Sequence, residues 1–130
     1  MWDTTRGELC EERLEADDLG MGGIAEGALV GGDAVTNAEV CRAAFGMPRM
    51  HPDLELPSDI DAVRAVVIAN AAAALAAHSA AVAAAEGEYV QGSLRDRVRA
   101  HLVDARAAVE SGAAGDLLRR WADTSQALRR

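Results

Sequence analysis

The chain has 130 residues, enough for one domain and too few for two ordinary ones. Half of the residues are apolar but only 3% are aromatic, and β-branched stretches are few, which excludes a β-sandwich or barrel and predicts an all-α fold. The net charge of −8 disfavours binding to a phosphate backbone, because such binding relies on basic side chains, so we expect no direct contact with nucleic acid.

The N-terminal segment is strongly acidic, with seven carboxylates among its first 18 residues. Its pattern predicts a helix from about Thr5 to Leu19, with Thr4 or Thr5 as the N-cap and Glu8 completing a capping box. The apolar face of this helix is thin, so it needs a neighbour to be stable. Six glycines follow within residues 20–32 and indicate a flexible connector or a close approach of two backbones.

A short helix is predicted from Thr36 to Phe45, closed by Gly46. The next eleven residues, 47–57, contain all three prolines and cannot continue a helix. We expect them to form an extended linker, or a strap across the helices with its larger apolar side chains facing inward, namely Met47, Met50, Leu54 and Leu56.

The clearest prediction is a long helix that begins after an N-cap at Ser58 and ends at Glu86 and Gly87. Alanine dominates all of its faces, which is typical of a helix surrounded by protein. Its expected buried stripe runs through Ile60, Val63, Val67, Ala71, Ala74, His78, Ala81 and Ala85. Residues 65–85 carry no formal charge and are long enough to cross a bilayer, but alanine contributes little to insertion and polar side chains oppose it, so we expect no membrane role.

Two further helices complete the prediction. The first starts at Ser93 with Asp96 in a capping box and ends near Ser111, and the second starts at Asp116. The predicted organisation is a single helical domain over residues 1–130, in which an acidic, Gly/Pro-rich extension (residues 1–57) precedes a helical core (residues 58–130).

Polar residues on the two longest helices give one candidate pocket. His101 and Asp104 are three positions apart on one helix face, and His78 with Asn70 approaches from the preceding helix. Such a group could serve as an acid–base or metal site, whereas a lone histidine on an apolar stripe is more often a hydrogen-bonded core residue. No nucleophile motif, cofactor motif or metal-ligand spacing accompanies it, so we expect no catalytic residue, cofactor or metal.

These features favour a non-enzymatic helical subunit that packs against itself or other chains of a larger bacterial or phage assembly. Two alternatives stay open at this point. One is a small helical enzyme or a ligand- or metal-binding protein with its pocket near Asn70, His78, His101 and Asp104. The other is an acidic inhibitor that mimics nucleic acid through its N-terminal segment. The expected partners are protein chains, in a homo-oligomer or larger assembly, and the expected location is the cytoplasm or a phage particle assembled there.

Overall fold

A computed structural model describes residues 1–4 and 7–129 of the chain. The described part contains four α-helices: α1 (Ala34–Ala44), α2 (Ile60–Ala85), α3 (Leu94–Glu110) and α4 (Ala113–Ala127). Its only sheet is an antiparallel pair of two-residue strands, β1 (Trp2–Asp3) and β2 (Cys10–Glu11), which pairs Trp2 with Glu11 and Asp3 with Cys10. The predicted all-α class is therefore confirmed.

The described residues form two compact units. Unit 1 contains residues 1–24 and 65–105, and unit 2 contains residues 25–64 and 106–130. Helices α2 and α3 each contribute residues to both units. The single domain with a boundary between residues 57 and 58 stays a prediction.

Side-chain caps determine where the helices α1 and α2 begin. Asp33 caps α1 by accepting the amide of Thr36 at 2.8 Å, so the helix begins two residues earlier than predicted. The carboxylate of Asp59, rather than Ser58, caps α2 by accepting the amides of Asp61 and Ala62. A carboxylate and a hydroxyl are comparably good N-cap groups, and the Ser58 hydroxyl instead donates to the Val30 carbonyl.

The predicted capping box of α3 is present. The amide of Asp96 donates to the Ser93 hydroxyl at 3.1 Å, and that hydroxyl donates to the Asp96 carboxylate at 2.7 Å. Helix α4 begins at Ala113, one turn before the predicted start, because Gly112 ends α3 with a φ of 82° and the chain re-enters a helix at once.

The predicted N-terminal helix is wrong. Thr5 lies outside the described residues, but Thr4 is exposed and precedes no helix; the strands β1 and β2 and one 3-10 turn at Asp17–Leu19 occupy the segment instead. Seven acids with a thin apolar face make a poor helix, and three of those acids are used for contacts with α3. They are Asp3, Glu12 and Asp18.

The strap at residues 47–57 is confirmed as non-helical, but its anchoring differs from the prediction. Met50 is 68% exposed, while Met47, Leu54 and Leu56 are half-buried. Arg49 holds the strap instead, because its Nη2 donates to the carbonyls of His51, at 2.9 Å, and Leu54.

The buried face of α2 is also displaced from the predicted stripe. Ala74, His78, Ala81 and Ala85 are exposed, and the buried positions are Ala62, Ile68, Ala69, Ala72, Ala76 and Ala80. Because alanine fills almost every position, the sequence contains no period that could select one face. By length and composition alone the helix could cross a membrane, but one such helix is weak evidence of crossing. Only 28% of its most apolar window is buried. Much of an apolar helix is thus uncovered.

Candidate functional site

The four predicted pocket residues are not all brought together. Asn70 is exposed and its Nδ2 donates to the Val66 carbonyl of its own helix at 2.8 Å. His78 is also exposed, in a shallow depression of about 360 Å³ that it shares with Glu86 and Glu88. The expectation that His78 is a core residue is therefore wrong.

His101 and Asp104 do lie near each other, and Ser79 joins them. The His101 Nε2 is 3.2 Å from the Ser79 hydroxyl, and its Nδ1 is 4.0 Å from the Asp104 carboxylate. The sequence analysis missed Ser79, although it follows His78 directly and therefore faces a different side of α2. Its hydroxyl, rather than His78, is the α2 group that meets His101.

The sequence of contacts from Ser79 to His101 to Asp104 is that of a nucleophile, a base and an orienting acid, but the distance from His101 to Asp104 is not. A carboxylate that orients an imidazole must be within hydrogen-bond distance, and 4.0 Å is too long. The Asp104 side chain is 77% exposed, so water competes for both partners. Among the residues that the structure describes, no group of three or more His, Cys, Asp or Glu side chains is placed to hold a metal ion. The expectation that the chain has no catalytic residue, with Asn70, His78, His101 and Asp104 as a candidate pocket only, stays a prediction.

The best-built polar centre of unit 2 surrounds Glu39, which is 2% exposed. Its carboxylate accepts the amides of Met50 and His51 at 3.1 and 3.3 Å and pairs with Arg49 at 3.4 Å. Burial opposes ionisation of this group, but the amides of His51 and Met50 and the Arg49 guanidinium together lower the pKa of Glu39. All of its partners are internal, so the centre fixes the strap on α1.

Unit 1 contains a groove of about 420 Å³ along α2. Its floor consists of alanines of α2, and its rim carries the ion pair between Asp3 of β1 and Arg97 of α3, with both side chains about nine-tenths buried. No local pattern predicts this groove, because it depends on contacts between residues 94 positions apart.

A second cavity, of about 430 Å³, lies in unit 2 next to Arg64. The guanidinium is already occupied, because it donates to the carbonyls of Ala44 at 3.0 Å and Ala43 at 3.3 Å and pairs with Asp61 at 2.7 Å. The Arg64 guanidinium caps the C-terminal carbonyls of α1 and is not available to bind an anion.

The thiol of Cys41 is a poor candidate nucleophile. It is half-buried, and burial raises its pKa although the neighbouring Arg42 lowers it in part. A raised pKa reduces the thiolate fraction at neutral pH, and the thiolate is the reactive form.

Comparison with known proteins gives a consistent result. The chain is 40% identical over 127 residues to the anthranilate phosphoribosyltransferase of Thermobifida fusca and 35% identical over all 130 residues to that of Saccharopolyspora erythraea. The enzyme of the same name from a Nocardioides species is 36% identical over 121 residues. These alignments cover 93–100% of this chain but only 30–31% of each relative, so the chain spans about a third of their length. No protein-family profile and no solved structure matches the chain.

These relatives overturn the interpretation as a non-enzymatic structural subunit of an oligomeric assembly. Proteins similar to essentially the whole chain are named as an enzyme, so the enzyme alternative is favoured. The physical reason for the error is that the alanine-rich helix was taken as evidence of assembly, whereas an uncovered apolar helix is also expected when a segment packs inside a longer enzyme. The nucleic-acid mimic also loses support, because Asp3, Glu12 and Asp18 face α3 within the chain.

Proposed function

We propose that this chain forms a helical part of an anthranilate phosphoribosyltransferase. The observation that carries the proposal is that the similarity, at 30–40% identity, extends over nearly the entire chain in all of these relatives and that they share one name. The relatives are bacterial proteins, and we place this chain in the bacterial cytoplasm with them.

The pairing of the arginines indicates whether this chain binds the substrates itself. The reaction in that name joins an aromatic carboxylate to a phosphorylated sugar, and both are anions that arginine would bind best. Eight arginines of the described residues are paired with carboxylates of the chain itself: Arg13, Arg42, Arg49, Arg64, Arg95, Arg97, Arg106 and Arg119. Arg99 and Arg120 are exposed on helices α3 and α4, and Arg129 is exposed in the turn that follows α4.

This pairing of the arginines supports a proposal that the substrates bind to other residues of the enzyme. An anion site needs several convergent donors in a recess, and the arginines that line recesses here are engaged by internal acids. We infer that residues outside the matched third bind the substrate anions, and that this chain completes the enzyme that carries them.

The test is a chimera in which this chain replaces the matched third of the Thermobifida fusca relative. We expect the chimera to transfer a phosphoribosyl group to anthranilate, and the loss of anthranilate fluorescence measures this transfer. The same relative with the matched third deleted, and the 130-residue chain alone, serve as controls and should both be inactive. A chimera that is folded by circular dichroism but has no activity would contradict the proposal.

The test also examines two of the four predicted pocket residues. His78→Ala and His101→Ala in the chimera should leave the rate of transfer within about twofold of the parent, since His78 is exposed and the half-buried His101 has its carboxylate partner at 4.0 Å, too far for a hydrogen bond. A loss of tenfold or more with unchanged melting temperature would instead assign the chemistry to the cluster around His101.

A further inference from the structure

The alanine groove of unit 1 is an apolar surface feature that the proposed function does not use. Its floor follows α2 through Ala73, Ala77, Ala81 and Ala84. These positions span 11 residues, which at 1.5 Å per residue is about 16 Å, or three helical turns. The recess therefore has the length of a short helix.

The chemistry of the groove favours a protein occupant over a small molecule. Small-molecule pockets combine an apolar lining with a few polar groups that converge on the ligand. Here the floor offers only methyl groups, and the charged groups of the rim, Asp3 and Arg97, bind each other. Alanine floors permit a close approach of two helix axes, which is the usual role of small residues at helix contacts.

Two other occupants fit the observations less well. A symmetric contact between two copies must be self-complementary, and a concave groove cannot fill itself across a two-fold axis. A bilayer covers convex apolar surfaces, whereas this floor is recessed behind a buried ion pair.

We propose that an apolar helix, from the portion of an anthranilate phosphoribosyltransferase that this chain does not match, occupies the groove. The inference rests on the proposed function, because it assigns the occupant to the part of the relatives that this chain does not match: they are about three times as long as the matched segment. It also explains why α2 has a mean hydropathy of 1.7 over its most apolar window while only 28% of that window is buried.

The proposal predicts a penalty that depends on the rest of the enzyme. Ala77→Arg should leave the melting temperature of the 130-residue chain unchanged, because Ala77 is exposed there. In the chimera the same change should lower it by about 5 °C or more, since a charge then enters a protein interface. The matched control is Ala100→Arg on α3, an exposed alanine of the same unit outside the groove, which should have no effect in either protein.

Other outcomes would overturn the proposal. Equal melting temperatures for Ala77→Arg and Ala100→Arg in the chimera exclude a helix in the groove. A dimer of the 130-residue chain that Ala77→Arg dissociates, by sedimentation, would assign the groove to a second copy. Binding of the chain to phosphatidylglycerol vesicles, lost in Ala77→Arg, would assign it to a membrane.

Two measurements separate this inference from the proposed function. If the chimera is active and Ala77→Arg does not lower its melting temperature, the proposed function holds and the helix in the groove is rejected. If the chimera is inactive and Ala77→Arg does lower its melting temperature, the helix in the groove holds and the proposed function is rejected. If the chimera does not fold, the intact Thermobifida fusca enzyme carries the test, with arginine at the positions that align with Ala77 and Ala100. A penalty at only the first position supports the proposal, and equal stability overturns it.

Discussion

The buried alanines of α2 allow one prediction with a defined magnitude. Ala72 is fully buried and lies on the covered face of the helix, whereas Ala74, two residues later, is exposed. Replacing each by leucine adds the same three carbons to the same helix. Helix propensities of alanine and leucine are similar, so packing alone should distinguish the two variants.

Overpacking of a filled interior typically costs about 1–3 kcal/mol, and a substitution at an exposed position changes stability by about 0.5 kcal/mol or less. An unfolding entropy of roughly 2.1 cal/mol/K per residue over 130 residues makes 1 kcal/mol equivalent to about 4 °C. Ala72→Leu should therefore lower the melting temperature by about 4–11 °C and Ala74→Leu by no more than about 2 °C.

Circular dichroism at 222 nm during heating measures both variants of the 130-residue chain. Urea unfolding gives an independent free energy and shows whether the transition has kept its slope. Equal melting temperatures for the two variants would refute the assignment of the buried face of α2. A larger decrease for Ala74→Leu would indicate that the helix is rotated toward the predicted stripe.

Three further predictions concern the contacts that hold each unit together. Because the pKa of Glu39 is lowered from 4.5, its contribution to stability is complete above that pH and is lost as the pH falls through the lowered value; Glu39→Gln should remove this dependence in urea titrations between pH 3 and 7, and an unchanged dependence would contradict it. Glu12 accepts the amides of Leu94 and Arg95 at the start of α3, so Glu12→Ala should cost about 0.5–2 kcal/mol while Glu11→Ala, an exposed neighbour, costs less; equal losses would argue against the cap. A Cβ at Gly115 would lie 2.9 Å from the Met47 side chain and 3.1 Å from the Phe45 carbonyl, so Gly115→Ala should lose about 1–3 kcal/mol, and thermal unfolding with no loss would show that the strap yields freely.

The sequence predicted helix ends better than it predicted which residues are buried. Caps depend on groups within a few residues, so Ser93 with Asp96 and the stop at Gly87 could be identified locally. The covered face of α2 could not, because an alanine run has no hydrophobic period. In α3 the apolar residues recur every three or four positions, so its buried face has a clear period, and Leu94, Val98 and Val109 are buried.

The predicted pocket residues are brought together only in part, for a related reason. Helical spacing placed His101 beside Asp104 correctly to within 4.0 Å, but it did not determine which residue of α2 would meet them. That choice depends on the rotation of α2, and Ser79 was brought to His101 instead of His78. The buried role of Glu39 had no local signal either, since its partners lie beyond the end of its own helix.

The contacts of Glu39 and Glu12 also imply an order of folding events. Glu39 reaches groups 10–12 residues away, whereas Glu12 reaches amides 82 and 83 residues away. Closing a loop of 82 residues rather than 12 costs about 1.7 kcal/mol more in chain entropy. The module of α1 and the strap should thus form early and exchange its amide hydrogens slowly. The N-terminal strands β1 and β2, with Glu12, should dock on α3 last and detach first. Their detachment exposes the amides of Leu94 and Arg95 to solvent during brief local openings.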